Sequence, residues 1–421
     1  MTEIRPFKAV MYNPEKAADL GKVMCPPYDV ISSRQQAALY NASPLNFIRL
    51  LLPKPDTGDE KGVSAYQNAK KTFAQWLDDQ ILTVDEHPAV YYYRQEYKIM
   101  GSRKSRLGFI SLMKIQDDEH ARVYPHEKTH ARAKEDRLRL WKALDTILSP
   151  IFVCFSDKDR KVEKVFLDSV SKTPACIDIQ DQEGVRHMLW RLTDQDLISQ
   201  ITATLYGQQV FIADGHHRYE VAREVRRQKM EKNPSHNGEE DYNYTMTYFT
   251  NMDSRDLQIF PMHRIVKSFP DNMELLEEYF RIDRVKTKEE LVVLLAKAGQ
   301  NEHAFGLYKK DGMWLLRLKN KLLIDKIVTE GSAEFKHLDA TILKYFIFDR
   351  VNIASEDIIY TKDLDDVTGM IDNGEAKAGF VMNPVRIQQL KNIALNGEKM
   401  PPKTTYFYPK LLSGLTAYKL S

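Results

Sequence analysis

The chain has 421 residues, too many for one ordinary hydrophobic core, so two or three domains are expected. Hydrophobic residues make up 43% of the chain and charged residues 29%, which is typical of a globular protein. The 61 basic side chains are balanced by 59 acidic ones, and the net charge of +2 gives no general case for nucleic acid or an anionic membrane as partner.

Several features of the sequence favour a cytoplasmic location for the protein. No apolar run approaches the roughly 20 residues that span a bilayer, and the first residues lack the apolar segment of a secretory signal. The three cysteines, Cys25, Cys154 and Cys176, are sparse and form no CxxC motif, so we expect small buried thiols in a reducing compartment. The sequence leaves the oligomeric state open, and a homo-oligomer is compatible with it.

The first part of the chain alternates helix and strand signals. Ser32 or Ser33 is a suitable N-cap for a helix over "RQQAALY", and the polar residues 53–63 predict a loop. The segment "SAYQNAKKTFAQWLDDQIL" carries apolar residues at spacings of three and four, which predicts an amphipathic helix. The strand-like "AVYYYRQEYKI" and "RLGFISLMKI" flank "MGSRKS" and predict a hairpin.

The rest of the chain continues this mixture. "SPIFVCF" predicts a buried strand, residues 193–205 a helix, and residues 231–243 a loop. Strands are expected at "YTMTYFTNM" and "LQIFPMHRIV", helices at "NMELLEEYF" and "KEELVVLLAKA", and a hairpin at "AFGLYKKDGMWLLRL". The fold class is therefore α/β (mixed α+β), and we expect three regions, namely 1–190, 191–270 and 271–421.

The most informative stretch is "QQVFIADGHHRYEVAREVRRQ", which predicts a strand, a sharp turn and a helix. Gly215 allows a tight turn and the close approach of a ligand. A helix that begins near His216 presents unpaired N–H groups and the positive end of its dipole, a favourable place for phosphate. Arg218 adds a planar donor pair that matches phosphate oxygens.

The other polar residues of this stretch are candidates for chemistry. Asp214 is placed to hold a metal ion or to take a proton from a substrate hydroxyl, and His216 or His217 is able to donate a hydrogen bond or move a proton. The structural alternative is that Asp214 forms the turn or caps the helix and that one histidine is simply packed or solvated. The convergence of four such groups at one junction favours a functional site.

These residues carry a resemblance. "FIADGHHRYEVA" resembles the signature of the ParB/sulfiredoxin-like fold, and its DGHHR form is similar to that of free-serine kinases within that superfamily. The chain as a whole resembles an uncharacterised prokaryotic family that carries a domain-of-unknown-function label. The pieces that match this family are "IRPFKAV", "PPYDVIS", "NFIRL", "HEKT", "SPIF", "DGHHRYE", "FPMHR" and "MPPKTTYFYPKLLSGL".

The resemblance implies a ParB/sulfiredoxin-like core within a larger chain, with ATP or ADP bound at Gly215–Arg218 together with Mg²⁺. It further implies transfer of a phosphoryl group to a small hydroxyl metabolite, with free serine as the best candidate. The sulfiredoxin-like form has a cysteine directly after the glycine, where this chain has His216. Disulfide or sulfinate chemistry is therefore not expected.

A second motif, "PHEKTH", fits the H-E-x-x-H pattern of zinc hydrolases through His126, Glu127 and His130. On a helix the two histidines would share one face, with Glu127 as general base. The charged "ARAKEDRLR" that follows, Pro125 directly before the motif, and the lack of an evident third ligand all weigh against zinc. The alternative is that His130 is a solvated helix residue, while His126 and Glu127 belong to a second loop that reaches the phosphate site.

Further candidates lie elsewhere. Asp29, held after a rigid Pro-Pro segment, suits a general base, or it merely caps the next turn. His263 and Arg264 suit an anion contact, although a satisfied histidine near the sheet is the favoured interpretation. The segment "MPPKTTYFYPK" combines cations, hydroxyls and aromatic rings that could close over a nucleotide, or pack in the core; its polar members are Lys403, Thr404, Tyr406 and Lys410.

Three functions follow from these patterns. The first is a nucleotide-dependent phosphotransferase. Its catalytic candidates are Asp214, His216, His217, Arg218, Asp29 and Glu127. Its candidates for nucleotide binding are Gly215, His216, His217, Arg218, His126 and Lys403. The second is a non-catalytic ParB-like nucleotide-binding or regulatory module. The third is the zinc hydrolase. The missing basic excess and the lack of a helix-turn-helix argue against DNA as a partner.

Overall fold

The computed structural model describes residues 2–59, 62–116, 121–129, 131–170 and 173–420. These residues form two compact units: the first comprises residues 1–125, 129–257 and 409–421, and the second comprises 126–128 and 258–408. The chain therefore leaves the first unit, builds nearly all of the second, and returns to the first for its last segment. The expected division into 1–190, 191–270 and 271–421 stays a prediction.

The strands of the first unit are β1 (Ile4–Arg5), β2 (Val10–Tyr12), β3 (Leu82–Val84), β4 (Val90–Ile99), β5 (Ser102–Lys114), β6 (Val123–Tyr124), β7 (Thr146–Ile147), β8 (Ile151–Phe155), β9 (Ile177–Gln180), β10 (Arg186–Leu192), β11 (Val210–Asp214) and β12 (Tyr244–Asn251). A nine-stranded sheet has the order β6-β11-β8-β12-β5-β4-β10-β9, with β1 paired to β5. It is mixed, because β12 runs parallel to β8 while β11 runs antiparallel to it. The last strand, Tyr418–Lys419, pairs with β7.

The helices of the first unit are α1 (Leu20–Val23), α2 (Ser33–Ala42), α3 (Ile48–Leu51), α4 (Val63–Asp78), α5 (Ala131–Leu144), α6 (Lys161–Val170), α7 (Gln195–Leu205) and α8 (His216–Lys232). The predicted Ser32 cap is confirmed, since its side chain accepts from Gln35 N at 3.2 Å. The predicted amphipathic helix is also confirmed: α4 buries Ala69, Phe73 and Trp76. None of the helices in the described ranges is both long and apolar enough to cross a bilayer.

Two hydrophobic clusters stabilise this unit. One covers a sheet face with α6 and α7 and includes Tyr92, Phe109, Phe155, Phe166 and Phe249. The other joins α2, α3 and α4 to the two-stranded pair of β2 and β3. Burial of aromatic and aliphatic side chains on this scale is the main favourable contribution to folding. Of the three cysteines, Cys25 and Cys154 are buried as expected, and Cys176 is half-buried.

The second unit is built on a separate antiparallel sheet. Its strands are β13 (Gln258–Phe260), β14 (His263–Val266), β15 (Phe280–Val285), β16 (Ala304–Lys309), β17 (Gly312–Leu318), β18 (Ile358–Thr361), β19 (Ala378–Val381) and β20 (Tyr406–Tyr408). Six of them have the order β15-β17-β16-β19-β14-β18, and β13 pairs with β20. Its helices are α9 (Glu274–Tyr279), α10 (Lys288–Ala298), α11 (Leu322–Ile327), α12 (Ala333–Lys336), α13 (Asp339–Leu343), α14 (Leu364–Asp372) and α15 (Ile387–Leu395).

The element predictions compare well with these units, and the mixed α/β fold class is confirmed. The hairpin of β4 and β5, α7, the β11–α8 unit and the hairpin of β16 and β17 all lie where the sequence places them. One prediction is wrong: "LQIFPMHRIV" is not a single strand. Pro261 separates β13 from β14, and the two pair in different sheets, because proline lacks the N–H that a continuous strand would need.

The start of α6 provides a test of local stability. Asp157 accepts from Lys161 N at 3.0 Å and from Val162 N at 2.9 Å, so its carboxylate satisfies two N–H groups at the helix start. We expect Asp157→Ala to lower the free energy of unfolding by about 1–2 kcal/mol, measured by urea denaturation. Asp159→Ala, at an exposed surface pair, should change it by less than about 0.5 kcal/mol. Equal losses in both variants would contradict the capping role.

Candidate functional site

The strand-to-helix junction has the backbone that the sequence predicts. β11 is buried up to Ala213 and ends at Asp214, and α8 begins at His216. Between them Gly215 has φ +88°, a left-handed conformation that side chains disfavour. A Cβ at this position would lie 2.9 Å from the guanidinium carbon of Arg218. Glycine is therefore needed both for the turn and for the close approach of Arg218.

Asp214 lies between two cationic side chains. Its Oδ2 is 3.0 Å from Lys410 Nζ, its Oδ1 is 3.6 Å from Arg218 Nη2, and the three side chains are only 12–14% exposed. Burial raises the pKa of Asp214, but attraction to Lys410, then Arg218, outweighs it and holds that pKa well below its usual range. With one carboxylate and two cations, this group carries a net positive charge of one.

Arg218 is fixed by a second contact. Its Nη1 donates to the carbonyl oxygen of Pro150, while its Nε is buried and has no hydrogen-bond partner within the described ranges. The side chain lines a cavity of about 60 Å³ together with Tyr28, Arg137 and Ser149. Such a volume holds a few water molecules and not a nucleotide. The guanidinium of Arg218 therefore keeps one donor without a partner among the described residues, and its side chain borders a small cavity with mostly apolar walls.

The "PPYDV" segment reaches the same cavity. Tyr28 begins a short 3₁₀ turn after Pro27, and the guanidinium of Arg137 lies 4.5 Å from the centre of its ring. Burial, reinforced by Asp29 and opposed by Arg218 and Arg137, raises the pKa of Tyr28 to about 12, so its hydroxyl stays protonated near neutral pH. Asp29 itself is exposed. The structure thus brings Tyr28 next to Arg218 and leaves the neighbouring carboxylate open to solvent.

The histidines differ in their surroundings. His216 is buried and close enough to Asp214 to contribute to its lowered pKa. His217 is half-buried near Glu220, a carboxylate that accepts from Thr129 Oγ1 at 2.7 Å and pairs with Lys134 at 2.8 Å. Burial raises the pKa of Glu220, but the contacts with Lys134, Thr129 and His217 outweigh it and lower that pKa.

Three further candidates lie in the second unit. His126 is buried, with Nε2 at 3.2 Å from Thr405 Oγ1, and Glu127 accepts from Lys403 N at 3.2 Å. Lys403 has φ +52°, which is uncommon for a side chain of this size. His126 and Glu127 precede α5 and are not helical, so the helical geometry expected for a zinc motif is wrong for this pair. His130 lies outside the described residues.

His263 and Arg264 behave as the favoured interpretation expects. His263 is buried and its Nδ1 accepts from Met382 N at 3.1 Å. Burial, with Arg264 acting in the same direction, lowers the pKa of His263 to about 4, so the ring is neutral near pH 7. Arg264 is buried as well and donates to the carbonyl oxygen of Met262. The hydrogen bonds of His263 and Arg264 are therefore made with nearby backbone groups, Met382 N and Met262 O.

The residue types at Asp214 do not fit direct coordination of Mg²⁺. Both carboxylate oxygens face cationic side chains, with which a divalent cation would have to compete. Among the described residues no three histidine, cysteine, aspartate or glutamate side chains are grouped as metal ligands would be. The arrangement instead suits an anion, because Asp214, Lys410 and Arg218 together carry a net positive charge at the start of α8. Mg²⁺ at Asp214 stays a prediction.

Comparison with protein families identifies the chain. The profile described as "Protein of unknown function (DUF1015)" matches residues 4–341. The chain belongs to the DUF1015 family. This confirms the uncharacterised family that the dispersed sequence pieces indicated, whereas the ParB/sulfiredoxin-like assignment of DGHHR stays a prediction. Among curated proteins no significant match to the DUF1015 chain was found.

Solved structures provide more distant likenesses to the DUF1015 chain. A conserved hypothetical protein from Pyrococcus furiosus has 14% identity and a TM-score of 0.34 over 69% of this chain and 89% of its own. A free serine kinase variant in complex with ADP has 13% identity and a TM-score of 0.36 over 68% and 84%. SbnI with a C-terminal truncation, from Staphylococcus aureus, has 11% identity and a TM-score of 0.37 over 74% and 87%. These likenesses are too distant to carry an argument about function.

Two features of the DUF1015 site were missed by sequence reasoning. Lys410 was considered only as part of a mixed segment, yet it is the nearest cation to Asp214. Arg106, which the sequence gave no reason to single out, is fully buried; it donates to Pro409 O at 2.5 Å and, through Nε, to Gln95 Oε1 at 3.1 Å. Gln95 in turn donates to Lys410 O at 2.9 Å. This pair holds the backbone that carries Lys410.

The basic residues of α5 differ in their surroundings. Arg137 is buried and donates to Leu51 O at 2.7 Å. Lys134 pairs with Glu220, and Arg139 pairs with Glu135 on the surface. The sequence could not distinguish these residues, because each is a long cation in the same charged segment and only tertiary packing decides which one is covered.

Proposed function

We propose that this DUF1015 chain binds the phosphates of ATP or ADP at the Asp214–Arg218 junction and transfers a phosphoryl group to a small hydroxyl metabolite, with free serine as the first candidate. The observation that supports this most is the group of Asp214, Lys410 and Arg218, which carries a net positive charge beside a glycine turn and a helix start. The resemblance of DGHHR to the free-serine-kinase form of the motif supports the same proposal.

The proposed roles follow from the contacts. Gly215 lets the guanidinium of Arg218 lie close to the backbone at the junction, and Arg218, Lys410 and a histidine neutralise the charge that develops on the transferred group. The acceptor hydroxyl oxygen forms a bond to the terminal phosphorus as the bond from that phosphorus to its bridging oxygen breaks, which leaves ADP from ATP or AMP from ADP. Asp29, exposed next to Tyr28, takes the hydroxyl proton in this proposal.

Asp214 has a structural role in this proposal. Its carboxylate fixes Lys410 and Arg218 at the junction, so that the two cations are already in place when an anion arrives. Nucleotide phosphates commonly bring Mg²⁺ with them, but no step here is assigned to a metal. The roles predicted for His126 and Lys403 in nucleotide binding, and for Glu127 in catalysis, stay predictions, as does the cytoplasmic location.

The test is a transfer assay with purified protein. We expect labelled ATP or ADP, incubated with Mg²⁺ and a panel of amino acids and sugars, to give a phosphorylated product, and Arg218→Met to lower the rate by about 100-fold or more. Arg227→Met is the control, because Arg227 lies on the same helix, is 57% exposed and pairs with the surface carboxylates of Glu224 and Glu231. It should keep the wild-type rate.

The other outcomes are also informative. Nucleotide binding in calorimetry that Arg218→Met abolishes, without transfer to any acceptor, would favour the non-catalytic nucleotide-binding module. The absence of both binding and transfer would contradict the proposal. Loss of activity in a chelator, with stoichiometric zinc in the purified protein, would favour the hydrolase instead.

A further inference from the structure

Two histidines of the second unit face each other. His303 directly precedes β16, and His337 directly follows α12, 34 positions later in the chain. The Nε2 atom of His303 is 3.4 Å from the Nδ1 atom of His337, whereas the centres of the two rings are 5.5 Å apart. The two nitrogen atoms therefore lie on the facing edges of the rings.

The backbone of both histidines is held by regular structure. The carbonyl oxygen of His303 accepts from Leu318 N, at the end of β17, at 3.0 Å. The backbone N–H of His337 donates to Ala333 O, at the start of α12, at 3.0 Å. The facing arrangement of the two rings is therefore produced by the sheet and the helix and not by a long loop.

A carboxylate orients the ring of His303. Asp339, the first residue of α13, accepts a hydrogen bond from His303 Nδ1 at 2.8 Å. A neutral imidazole has one N–H, so donation from Nδ1 makes Nε2 the nitrogen with a lone pair, and that lone pair is directed toward His337. Proteins orient metal-binding histidines in this way, with a carboxylate on the ring nitrogen that does not bind the metal.

The separation of 3.4 Å between the two nitrogens favours a shared ion over a direct hydrogen bond. An N–H donor is usually about 2.7–3.2 Å from its acceptor, so the contact is long for a hydrogen bond. Zn²⁺ binds histidine nitrogen at about 2.0–2.1 Å in a tetrahedral arrangement, which places two such nitrogens about 3.3–3.4 Å apart. The two rings therefore already have the spacing of two ligands on one ion.

The surroundings of His337 keep its ring neutral. Burial lowers the pKa of His337, and His303 acts in the same direction; Asp325 opposes this shift, while Lys321 and Lys336 support it. Lys336 pairs with Asp325 at 3.4 Å, and Lys321 donates to a backbone carbonyl oxygen at 2.5 Å. A neutral imidazole is the form of histidine that binds a metal ion, so near pH 7 no proton has to be displaced from this ring.

Water is able to reach the pair and to complete the coordination. The side chain of His303 is 15% exposed and that of Asp339 is 24% exposed. Within the described ranges no third histidine, cysteine, aspartate or glutamate is grouped with the pair as a metal ligand, so water takes the remaining positions. Two imidazole ligands favour Zn²⁺, Ni²⁺ or Cu²⁺ over Mg²⁺ and Ca²⁺, which prefer oxygen ligands.

We propose that His303 and His337 form a binding site for one divalent transition-metal ion of the zinc type, with Asp339 as a positioning residue for His303. The ion links the start of β16 to the segment between α12 and α13. The site is separate in the sequence from the Asp214 group and from the H-E-x-x-H motif. It needs no phosphoryl transfer and stands whether or not nucleotide binds at Asp214.

The test is a calorimetric titration of the purified, metal-free full chain with Zn²⁺, and with Mg²⁺ for comparison. His303→Ala and His337→Ala should each remove one bound Zn²⁺ per chain. Asp339→Asn keeps the shape of the side chain without its charge and should weaken binding at this site by about tenfold or more. Mg²⁺ should not compete with Zn²⁺ for the site.

The matched control is His236→Ala. His236 also pairs with a carboxylate, since its Nδ1 lies 3.0 Å from Glu240 Oε2, but the other neighbour of its ring is Tyr242 and not a second histidine. This variant should bind Zn²⁺ as the wild type does. Because an ion that binds the folded state raises the Tm, Zn²⁺ should raise the Tm of the wild type more than that of His303→Ala. The Tm without metal shows whether each variant is folded.

A crystal soaked in Zn²⁺ locates the ion directly. The anomalous difference map should show a peak about 2.1 Å from both His303 Nε2 and His337 Nδ1. A wild-type chain that binds no Zn²⁺, or Zn²⁺ binding that is unchanged in both folded histidine variants, would overturn the proposal. Zinc held at the H-E-x-x-H motif instead would give the second of these results, and it would be lost in His126→Ala.

Discussion

Lys410→Met is expected to destabilise the protein by about 2–3 kcal/mol and to abolish nucleotide binding. Removal of one member of a buried ion pair typically costs about 3–5 kcal/mol, because the remaining charge is left uncompensated. Arg218, 3.6 Å from the same carboxylate, reduces that cost here. Urea denaturation at pH 7 measures the loss of stability, and calorimetry with ADP measures the loss of binding.

The control for this variant is Lys229→Met, which breaks a surface pair with Asp145 and should cost less than about 1 kcal/mol. A double variant, Asp214→Asn with Lys410→Met, should lose less stability than the sum of the two single variants, because each single substitution already breaks the same ion pair. A loss as small as that of Lys229→Met, or strictly additive losses in the double variant, would show that the pair contributes little.

The pH dependence of this loss has a definite sign. A carboxyl whose pKa is lowered in the folded state stabilises it above the unfolded pKa, about 3.9 for aspartate, and that contribution disappears as pH falls toward the folded pKa. The stability difference between wild type and Lys410→Met should therefore be complete at pH 7 and become smaller below about pH 4. A difference that is constant from pH 7 to pH 3 would contradict the assignment to Asp214.

Gly215→Ala is expected to cost about 3 kcal/mol and to weaken anion binding at the junction. Two effects add: a side chain at φ +88° costs about 1–2 kcal/mol, and the new Cβ would lie 2.9 Å from Arg218 Cζ, so the guanidinium must move. Thermal and urea unfolding measure the first consequence. Displacement of Arg218 is measured as weaker binding of inorganic phosphate or ADP.

Gly207→Ala is the matched control for Gly215→Ala. Gly207 has φ +75°, but a Cβ there would meet no atom within 4 Å, so the substitution isolates the backbone cost. It should lose only about 1 kcal/mol and keep wild-type binding. If the two alanine variants lose the same stability and bind ADP equally well, the close approach of Arg218 has no functional meaning.

Local patterns account for the elements that sequence analysis placed correctly. A buried apolar run followed by Asp-Gly marks the end of β11 and the start of α8, since each signal acts over a few residues. The apolar face of α4 was likewise predicted from a local pattern, the spacing of three and four residues between its apolar side chains. The same reasoning failed at "LQIFPMHRIV". The β-forming side chains on both sides of Pro261 led to the prediction of one strand, but Pro261 interrupts it in the structure.

The site itself depends on contacts that no local pattern encodes. Lys410 is 196 positions from Asp214 in sequence, and Arg106 is 303 positions from Pro409. Nothing in the composition of "FYPKLLSGL" distinguishes a lysine beside a buried carboxylate from one in solvent. Such pairings follow from the path of the whole chain, which returns to the first unit after residue 408.

This return has a consequence for biosynthesis. During translation the strands that carry Arg106, Gln95 and Asp214 emerge from the ribosome early, whereas Pro409 and Lys410 emerge only after the whole of the second unit. The nascent first unit therefore holds Arg106 with Gln95 alone, and Asp214 with Arg218 alone, for the time needed to synthesise about 150 residues, or about 8–30 s at bacterial and eukaryotic elongation rates. Premature termination before codon 409 would make the loss of Pro409 and Lys410 as partners permanent, which makes such fragments ready targets for proteolysis.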